Sequence, residues 1–197
     1  MARPQDAFGK HAKKEGYPAR SVFKLQEIDQ RVRLLRPGMR VLDLGAFPGS
    51  WTLYASKQLG LSGRVVAIDI QRRETGLPPN AEYRQADIFE IDIAELKAYS
   101  RFDLVISDMA PNTSGNRDRD QYLSYELYMR ALEIAREVLV PQGNFVGKIF
   151  QGPDFQNARQ TTSSCFDKVR IMKPRASRRE SYEVFLVGLG FIRNRRP

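Results

Sequence analysis

The stretch that decides the fold is RVLDLGAFPGSWTLYASKQLGLSGRVVAIDIQ, residues 40–71. Its first apolar run, Val41–Leu44, suits a short strand buried in a parallel sheet. Gly45 and Gly49 then bracket a tight turn in which the backbone can approach a ligand closely. A helical apolar pattern follows the turn, and Arg64–Ile68 is typical of a second buried strand. The stretch therefore predicts a strand–turn–helix–strand unit, the βαβ arrangement.

The chemistry of this unit depends on its turn and on the acid after its second strand. Asp69 ends that strand, where a carboxylate can accept hydrogen bonds from both hydroxyls of a ribose. Neither the G-x-G-x-x-G dinucleotide fingerprint nor the G-x-x-x-x-G-K-[ST] phosphate loop occurs in the sequence. Pro48 lies near the predicted helix start, where its missing N–H costs little. With Trp51, the D-L-G-x-x-P-G-x-W turn resembles the S-adenosylmethionine site of a class I methyltransferase, and this is favoured over an ordinary βαβ unit with a glycine turn.

Length and charge limit the class of protein. The chain has 197 residues, which is enough for one domain with a sizeable core. Its formal net charge is +9 and its sequence pI is about 9.8. Such a balance indicates a polyanionic partner, most often nucleic acid. A basic protein without such a partner is the alternative, because charge alone does not separate the two.

Residue usage excludes several kinds of site. Cys165 is the only cysteine, so no internal disulfide forms and a cysteine-built zinc site is disfavoured. His11 is the only histidine, which disfavours a histidine-based catalytic triad. No apolar stretch reaches membrane-spanning length, and no signal peptide opens the sequence. We therefore expect a cytoplasmic protein that does not bind a membrane.

Outside this unit, helical and strand-like patterns alternate along the chain. We predict a basic N-terminal arm, residues 1–17, that is either poorly ordered or in contact with phosphates. Residues 18–197 are predicted to form a single doubly wound α/β domain. The predicted elements are a helix from about Pro18, a loop Gln71–Ala81, a strand Tyr83–Asp87, a strand Phe102–Ser107, a loop Thr113–Gln121, a helix around Tyr125 to about Val140, a stop at Pro141–Gly143, a strand Asn144–Phe150, a helix Asp154–Ser164, a strand Phe166–Met172, a basic loop Lys173–Arg179 and a strand Tyr182–Leu189.

Five polar residues on these elements have both a functional and a structural interpretation. Lys148 interrupts an apolar strand, where a charge is costly unless it is paired or at the strand's open end. Asp108 and Asp87 end strands at the edge where ligands bind, but acids there also form turns or cap helices. Lys24 fits an ordinary surface lysine on its helix, and Glu183 fits the solvent face of a strand.

Several strings together resemble one family. FKLQEID, VLDLGAFPGSW, SDMAPNTSG, GKIFQG and SYEVF are similar to those of the FtsJ/RrmJ family, the bacterial heat-shock ribosomal RNA 2′-O-methyltransferases, in order and spacing. The resemblance runs from about His11 to Leu189. It implies a Rossmann-like class I S-adenosylmethionine-dependent methyltransferase fold, with a mostly parallel seven-stranded sheet and helices on both faces.

The resemblance also implies the site residues. The family's Lys-Asp-Lys-Glu tetrad falls on Lys24, Asp108, Lys148 and Glu183. The family's cofactor contacts fall on Gly49, Trp51, Asp69, Asp87 and Asp108. To these we add Gly45, the first glycine of the turn. The sequence departs from the family at Phe47, where a small residue is usual, at Ser50, which replaces a glycine, and at Gly147, which replaces a valine.

The chemistry of ribose methylation agrees with this set of residues. A 2′-hydroxyl is a very weak acid, so its methylation profits from a base, and the in-line displacement profits from positioning. Lysine has a reference pKa near 10.4, which burial and a second lysine lower and which nearby acids raise. We expect Lys148 to be the general base and positioner, with Asp108 and Lys24 as its partners and Glu183 as support. No metal is required.

The substrate is inferred from charge and from the resemblance. Basic groups that can grip RNA phosphates are Arg175, Arg178, Arg179, the Lys10–Lys14 cluster and the tail residues Arg193, Arg195 and Arg196. The family implies large-subunit ribosomal RNA, at a uridine in the A-loop of the peptidyl transferase centre, within an assembled or nearly assembled subunit, and we expect a monomer. Alternatives are a 2′-O-methyltransferase of transfer RNA or another RNA, a non-catalytic RNA-binding assembly factor and, most distantly, a nicotinamide oxidoreductase.

Overall fold

The computed structural model describes residues 4–73, 76–178 and 180–193. Within these residues the chain alternates between helices and strands. The helices are α1 (Pro4–Lys14), α2 (Val22–Val32), α3 (Ser50–Leu59), α4 (Ile93–Tyr99), α5 (Arg117–Val138) and α6 (Phe155–Cys165). The strands are β1 (Arg40–Leu44), β2 (Arg64–Asp69), β3 (Ala81–Gln85), β4 (Phe102–Ser107), β5 (Leu139–Phe150), β6 (Phe166–Met172) and β7 (Glu183–Phe191).

The strands form one seven-stranded sheet in the order β3-β2-β1-β4-β5-β7-β6. Strands β1 to β5 pair in parallel, whereas β7 is antiparallel to both β5 and β6. The order reverses between β1 and β4, and ligands of such sheets bind at the carboxyl ends of the strands beside that point. This confirms the predicted mostly parallel seven-stranded α/β fold.

Helices cover both faces of the sheet and bury two hydrophobic cores. One core packs α4, α5 and α6 against residues such as Leu42, Val105 and Phe145. The other packs α1, α2 and α3 against residues such as Val41, Ile106 and Phe185. Successive residues of a strand point to opposite faces, so alternation along β1 and β4 supplies both cores.

The local sequence pattern predicted the bounds of most helices and strands to within about two residues. The unit β1–α3–β2 has the predicted order, β4 and β6 have the predicted bounds, and α6 begins one residue after Asp154. Strand β3 begins and ends two residues before the predicted Tyr83–Asp87. Its weakly apolar sequence AEYRQ explains this shift, because its residues are half-buried or exposed and give little burial pattern.

Two predicted boundaries in the second half were wrong. Helix α5 begins at Arg117, inside the predicted loop, because the Asn116 side chain caps it by accepting a hydrogen bond from the Arg119 N–H at 3.1 Å. Asp118 and Asp120 in its first turn complement the helix dipole. Strand β5 begins at Leu139 rather than Asn144, and it runs through the predicted stop. Its pairing with β4 shifts register there, which accommodates a positive φ of 64° at Gln142.

The N-terminal segment forms a helix that the sequence did not predict. Ala12 of α1 and Tyr17 after it are buried in the second core, and Phe8 and His11 contact the ring of Phe23. Lys57 lies over the ring of Tyr17 at 4.2 Å. Residues 4–17 therefore pack on the domain. In the described residues, every helix is too short or too polar to cross a membrane.

Candidate active site

Lys148 and Asp108 meet because their strands are neighbours in the sheet. Ser107 of β4 is in register with Gly147 of β5, which places the next residue of each chain segment side by side. The Lys148 ammonium donates a hydrogen bond to Asp108 Oδ1 at 2.9 Å and another to the Asp108 backbone carbonyl. The lysine that interrupts an apolar strand is thus paired, as the cost of an unpaired buried charge requires.

Glu183 reaches the same place because β7 runs antiparallel to β5. Glu183 is the first residue of β7 and pairs with Phe150, the last residue of β5. The start of an antiparallel strand therefore lies at the same edge as the carboxyl ends of the parallel strands. Glu183, although far along the chain, therefore lies next to residues that follow β4 and belong to β5.

Lys24 completes the cluster from the first turn of α2. Its Nζ lies 2.7 Å from Glu183 Oε1 and 3.7 Å from Asp108 Oδ1. The first contact is an ion pair by distance, although its angles fall outside hydrogen-bond geometry. The Lys24 ammonium also lies 5.7 Å from the centre of the Phe185 ring, a cation–π contact. The structure therefore brings Lys24, Asp108, Lys148 and Glu183, here called the tetrad, into one cluster.

The tetrad is nearly closed to water and balanced in charge. Its side chains are 6% to 15% exposed. Burial raises the pKa of Glu183, but the charge and contact of Lys24, the Ser177 hydroxyl and the charge of Lys148 outweigh it. The net effect is a pKa of Glu183 below its ordinary value. The two carboxylates thus hold two ammonium groups at the edge of the sheet, each within reach of a partner.

A cavity of about 670 Å³ adjoins the tetrad at Asp108. Gly45, Asp69 and Asp87 also line it, together with Phe47 of the glycine turn. Its size lies within the roughly 300–1,000 Å³ of small-molecule sites. Because the cavity lies at the carboxyl ends of β1, β2 and β4, it is where a nucleoside binds in a sheet of this topology.

Two acids of the cavity keep acceptor capacity for a nucleoside. Asp69 Oδ2 accepts from the Phe47 N–H at 2.9 Å, and its Oδ1 accepts from the Gln71 N–H at 2.8 Å. Each carboxylate oxygen has a second lone pair, so both can also accept from a ribose hydroxyl. Asp87 accepts a hydrogen bond from the Phe89 N–H at 2.9 Å and so forms a turn. This contact is close to the structural role in a turn or helix cap that the sequence allowed for Asp87. Its position in the cavity also agrees with the functional interpretation.

The two glycines of the turn are required by backbone conformation and by space. Gly45 has φ of +76°, and a Cβ there would meet Met109 Cγ at 2.2 Å. Gly49 has φ of +103°, and a Cβ there would overlap the Arg73 guanidinium, which donates to the Pro48 carbonyl at 2.8 Å. Arg73 thus covers the outer end of the turn, a contact that the sequence did not indicate.

The Trp51 indole packs away from the cavity. It is 3% exposed, its Nε1 donates to the Ser21 carbonyl at 2.8 Å, and its ring packs on Phe185. Ser50 beside it accepts from the Ala19 N–H at 2.8 Å and donates to the Ala19 carbonyl at 3.1 Å. These contacts fix the glycine turn to the segment that carries Lys24, and they give Ser50 a structural role.

Asp43 of β1 is a buried acid that the sequence patterns did not single out. It is 1% exposed; its Oδ2 accepts from the Thr52 hydroxyl at 2.7 Å, and its Oδ1 has no hydrogen-bond partner. Burial raises the pKa of Asp43 to about 7, Thr52 opposes the rise, and the charges of Asp108 and Asp69 add to it. The rule that singled out Lys148, a charge within an apolar strand, also applied to Asp43 and would have found it.

The fold and the site together define a Rossmann-like class I methyltransferase. The comparison with known families agrees: the model of the FtsJ-like methyltransferase family matches residues 17–191. The chain belongs to that family, and its cofactor is S-adenosylmethionine. The cavity fits this cofactor in size and in the placement of Asp69 for a ribose.

Individual relatives support the assignment. The chain is 50% identical over 184 residues to the ribosomal RNA large subunit methyltransferase E of Sorangium cellulosum, covering 93% of this chain and 87% of the relative. A crystal structure titled as a ribosomal RNA methyltransferase of Plasmodium falciparum has a TM-score of 0.76 at 24% identity, covering 89% of this chain and 98% of that one. Human methyltransferase-like protein 13 in complex with SAH has a TM-score of 0.56 at 12% identity, covering 82% and 75%. The two structures show the shared fold.

Proposed function

We propose that this protein transfers a methyl group to the 2′-hydroxyl of a uridine in large-subunit ribosomal RNA, in the A-loop of the peptidyl transferase centre. The observation that carries the proposal is the tetrad beside the cofactor cavity. Asp108 belongs to both, since it lines the cavity and accepts a hydrogen bond from Lys148. The name of the relative from Sorangium cellulosum supports ribosomal RNA of the large subunit as the substrate.

The tetrad suits the activation of a weakly acidic hydroxyl. Lys148 Nζ is held by Asp108 at two oxygens, so its position is fixed before the substrate arrives. In the proposed mechanism Lys148 orients the ribose 2′-oxygen. Its ammonium first releases one proton to water, and the resulting amine takes up the proton of the hydroxyl as the methyl group is transferred. Lys24 and Glu183 hold Asp108 and Lys148 in place. Such positioning commonly lowers the activation barrier by several kcal/mol. Proton transfer to a general base commonly raises the rate by roughly 10²- to 10⁴-fold.

The bound cofactor supplies a methyl group on a sulfonium centre. Asp69 is proposed to accept from the ribose hydroxyls of the cofactor, and Asp87 from its adenine amino group. Asp108 and the turn from Gly45 to Gly49 are proposed to contact the part that carries the methyl group. The Trp51 indole is occupied with Ser21, so a contact from this residue has to come from its backbone.

The RNA is proposed to lie on the basic face beside the tetrad. Arg175 and Arg178 are exposed in the loop before β7, and Lys10, Lys13 and Lys14 are exposed on α1. Arg193 is exposed but follows the far end of β7, at the edge of the sheet opposite the tetrad, and is therefore not part of this face. Arg179, Arg195 and Arg196 lie outside the described residues. Since one chain supplies the whole tetrad, we propose that a monomer suffices and that it works in the cytoplasm on an assembled or nearly assembled subunit.

A map of 2′-O-methyl groups in a deletion strain tests the proposal. The expected result is the loss of one 2′-O-methyl group, at the A-loop uridine, and its return when the wild-type chain is expressed. An unchanged A-loop with a loss in transfer RNA would move the activity to another RNA. Unchanged maps of both RNAs, with normal cofactor binding, would favour an RNA-binding assembly factor without turnover.

A further inference from the structure

A second cavity, of about 510 Å³, adjoins the tetrad. Lys24 and Glu183 line it, whereas Asp108 lines the cofactor cavity. The segment after β4 connects the two, because Asn112 lines the first cavity and Thr113 lines the second. A methyl group has to pass from the cofactor to its acceptor at the tetrad. The second cavity therefore lies where the acceptor nucleotide has to be.

The lining of this cavity suits a nucleotide. Arg20 and Arg178 supply two cations, which phosphate oxygens attract. Phe150 and Tyr182 supply aromatic surface on the same cavity. Proteins that recognise unpaired RNA combine these features, with basic groups for the backbone and an aromatic ring or an arginine plane for a base.

The Tyr182 ring is held rigidly and is covered by an arginine. Its ring meets that of Phe150 edge to face, with centroids 5.1 Å apart. Its backbone carbonyl accepts from the Gln151 N–H at 2.9 Å, which ties it to the end of β5. The Arg117 guanidinium, at the start of α5, lies 5.2 Å from the centre of the Tyr182 ring. Tyr182 is half-buried and lines the second cavity, whereas Arg117 is exposed and lies beside that lining.

We propose that this second cavity holds the acceptor nucleotide, with its base stacked on the Tyr182 ring next to Arg117 and its flanking phosphates at Arg20 and Arg178. The inference rests on the proposed function, and it adds the residues that hold the substrate base. Stacking on Tyr182 orients the ribose, and the 2′-oxygen is presented to Lys148.

Kinetics of methyl transfer test the stacking surface. Loss of one base–aromatic stack of about 1–3 kcal/mol corresponds to roughly 5- to 150-fold in affinity. Tyr182→Ala is therefore expected to raise KM for large subunits from a deletion strain by that factor, with a smaller effect on kcat. Tyr182→Phe keeps the ring and is expected to restore KM. Tyr122→Ala is the matched control, because it removes an exposed tyrosine on α5 that does not line the cavity. It should leave KM and kcat unchanged.

Salt dependence separates stacking from phosphate binding. Arg20→Gln and Arg178→Gln are each expected to reduce the slope of log affinity against log salt concentration by about 0.7, as for single-stranded RNA. Tyr182→Ala is expected to weaken binding with an unchanged slope. Arg159→Gln, which removes an exposed cation on α6, serves as the control. Equal slopes for all four variants would overturn the phosphate assignment.

Crosslinking tests the cavity without turnover. A short RNA with one 4-thiouridine is irradiated with the full chain and S-adenosylhomocysteine, and the crosslinked residues are identified by mass spectrometry. Crosslinks are expected at Tyr182 or Arg117, and crosslinks confined to other regions would overturn the inference. Wild-type protein that transfers no methyl group to ribosomal RNA overturns the proposed function instead. Normal transfer with an unchanged KM in Tyr182→Ala overturns the inference alone.

Discussion

Lys148 has its ammonium fixed by Asp108 before any substrate is present. Two hydrogen bonds to one residue, with 6% of the side chain exposed, leave the group little rotational freedom. Lys24 stays within 3.7 Å of the same carboxylate, so removing Lys148 still leaves Asp108 one cationic neighbour. The proposed loss of catalysis can therefore be measured on a folded protein.

Lys148→Ala is expected to reduce methyl transfer by at least about 100-fold, which is the lower range for loss of a general base. Because Asp108 keeps Lys24, affinity for the cofactor and for RNA should change by less than about threefold. Single-turnover kinetics, calorimetry with S-adenosylmethionine and filter binding measure these quantities. Lys168→Ala, on the exposed edge strand β6, is the control. Equal activity in Lys148→Ala and wild type would refute the catalytic assignment.

Asp43 is a second residue whose burial has a measurable consequence. Its pKa is about 7 in the folded chain and near 3.8 when unperturbed. Below about pH 4 both states bind the proton, whereas between about pH 4 and 7 only the folded state does. The stabilisation from this proton is thus lost as pH rises to about 7. At about 1.4 kcal/mol per pKa unit it is on the order of 4 kcal/mol.

Asp43→Asn is expected to remove this part of the pH dependence. The free energy of unfolding, from urea denaturation at a series of pH values, should fall between about pH 4 and 7 in the wild type and stay flatter in the variant. Thr52→Val removes the hydroxyl that lowers the pKa of Asp43. In this variant the fall in the free energy of unfolding should therefore continue to a higher pH than in the wild type. Identical slopes in Asp43→Asn and wild type would show that Asp43 does not titrate in this range.

At the scale of elements, strand β5 has a glycine where helix α5 packs closely against it. A Cβ at Gly147 would meet Tyr128 Cε2 and Phe145 Cζ, both at 2.7 Å. Tyr128 is 1% exposed and shares a hydrogen bond with the Thr162 hydroxyl of α6. The aromatic ring fills the space that a valine would take, so the glycine and the tyrosine are complementary.

Gly147→Val is expected to destabilise the fold by about 1–3 kcal/mol through overpacking. The cost should be smaller in a Tyr128→Leu background, where the ring is absent, and a double-mutant cycle measures the difference. Gly9→Ala in α1 meets no atom within 4 Å and should be neutral or slightly stabilising. A Gly147→Val cost that is equal in both backgrounds would contradict the complementarity.

At the scale of the whole molecule, the excess positive charge is +9 over 197 residues. Part of it is displayed by α1, which packs on the domain through Ala12 and so holds its lysines in fixed positions. A fixed basic helix orients RNA with less loss of entropy than a disordered arm. We infer that α1 extends the RNA surface next to the domain.

Neutralising Lys13 and Lys14 together by glutamine is expected to weaken RNA binding at low salt. The slope of log affinity against log salt should become about 1.4 less steep, because each phosphate contact to single-stranded RNA contributes about 0.7. Arg136→Gln with Arg159→Gln, two exposed cations on α5 and α6, is the matched control. A slope that is unchanged in the lysine variant would remove α1 from the RNA surface.

The amino-acid sequence was enough to predict the βαβ unit and the class of sheet. Buried strands of a parallel sheet appear as short apolar runs, and the glycine turn and strand-end acids of nucleoside sites follow from backbone conformation and hydrogen bonding, so local sequence shows these features. The resemblance to a family then named residues that lie far apart in the chain. Local pattern alone left Lys24 as a surface lysine.

Which of these residues lie together, and which contacts hold them, became visible only in the folded chain. Glu183 joins the tetrad because β7 enters the sheet antiparallel, and Lys24 joins it because Trp51 and Ser50 fix the start of α2. The raised pKa of Asp43 and the Tyr182–Arg117 pair likewise arise from neighbours distant in sequence. Contacts and burial between remote segments depend on how the elements pack, which no local pattern encodes.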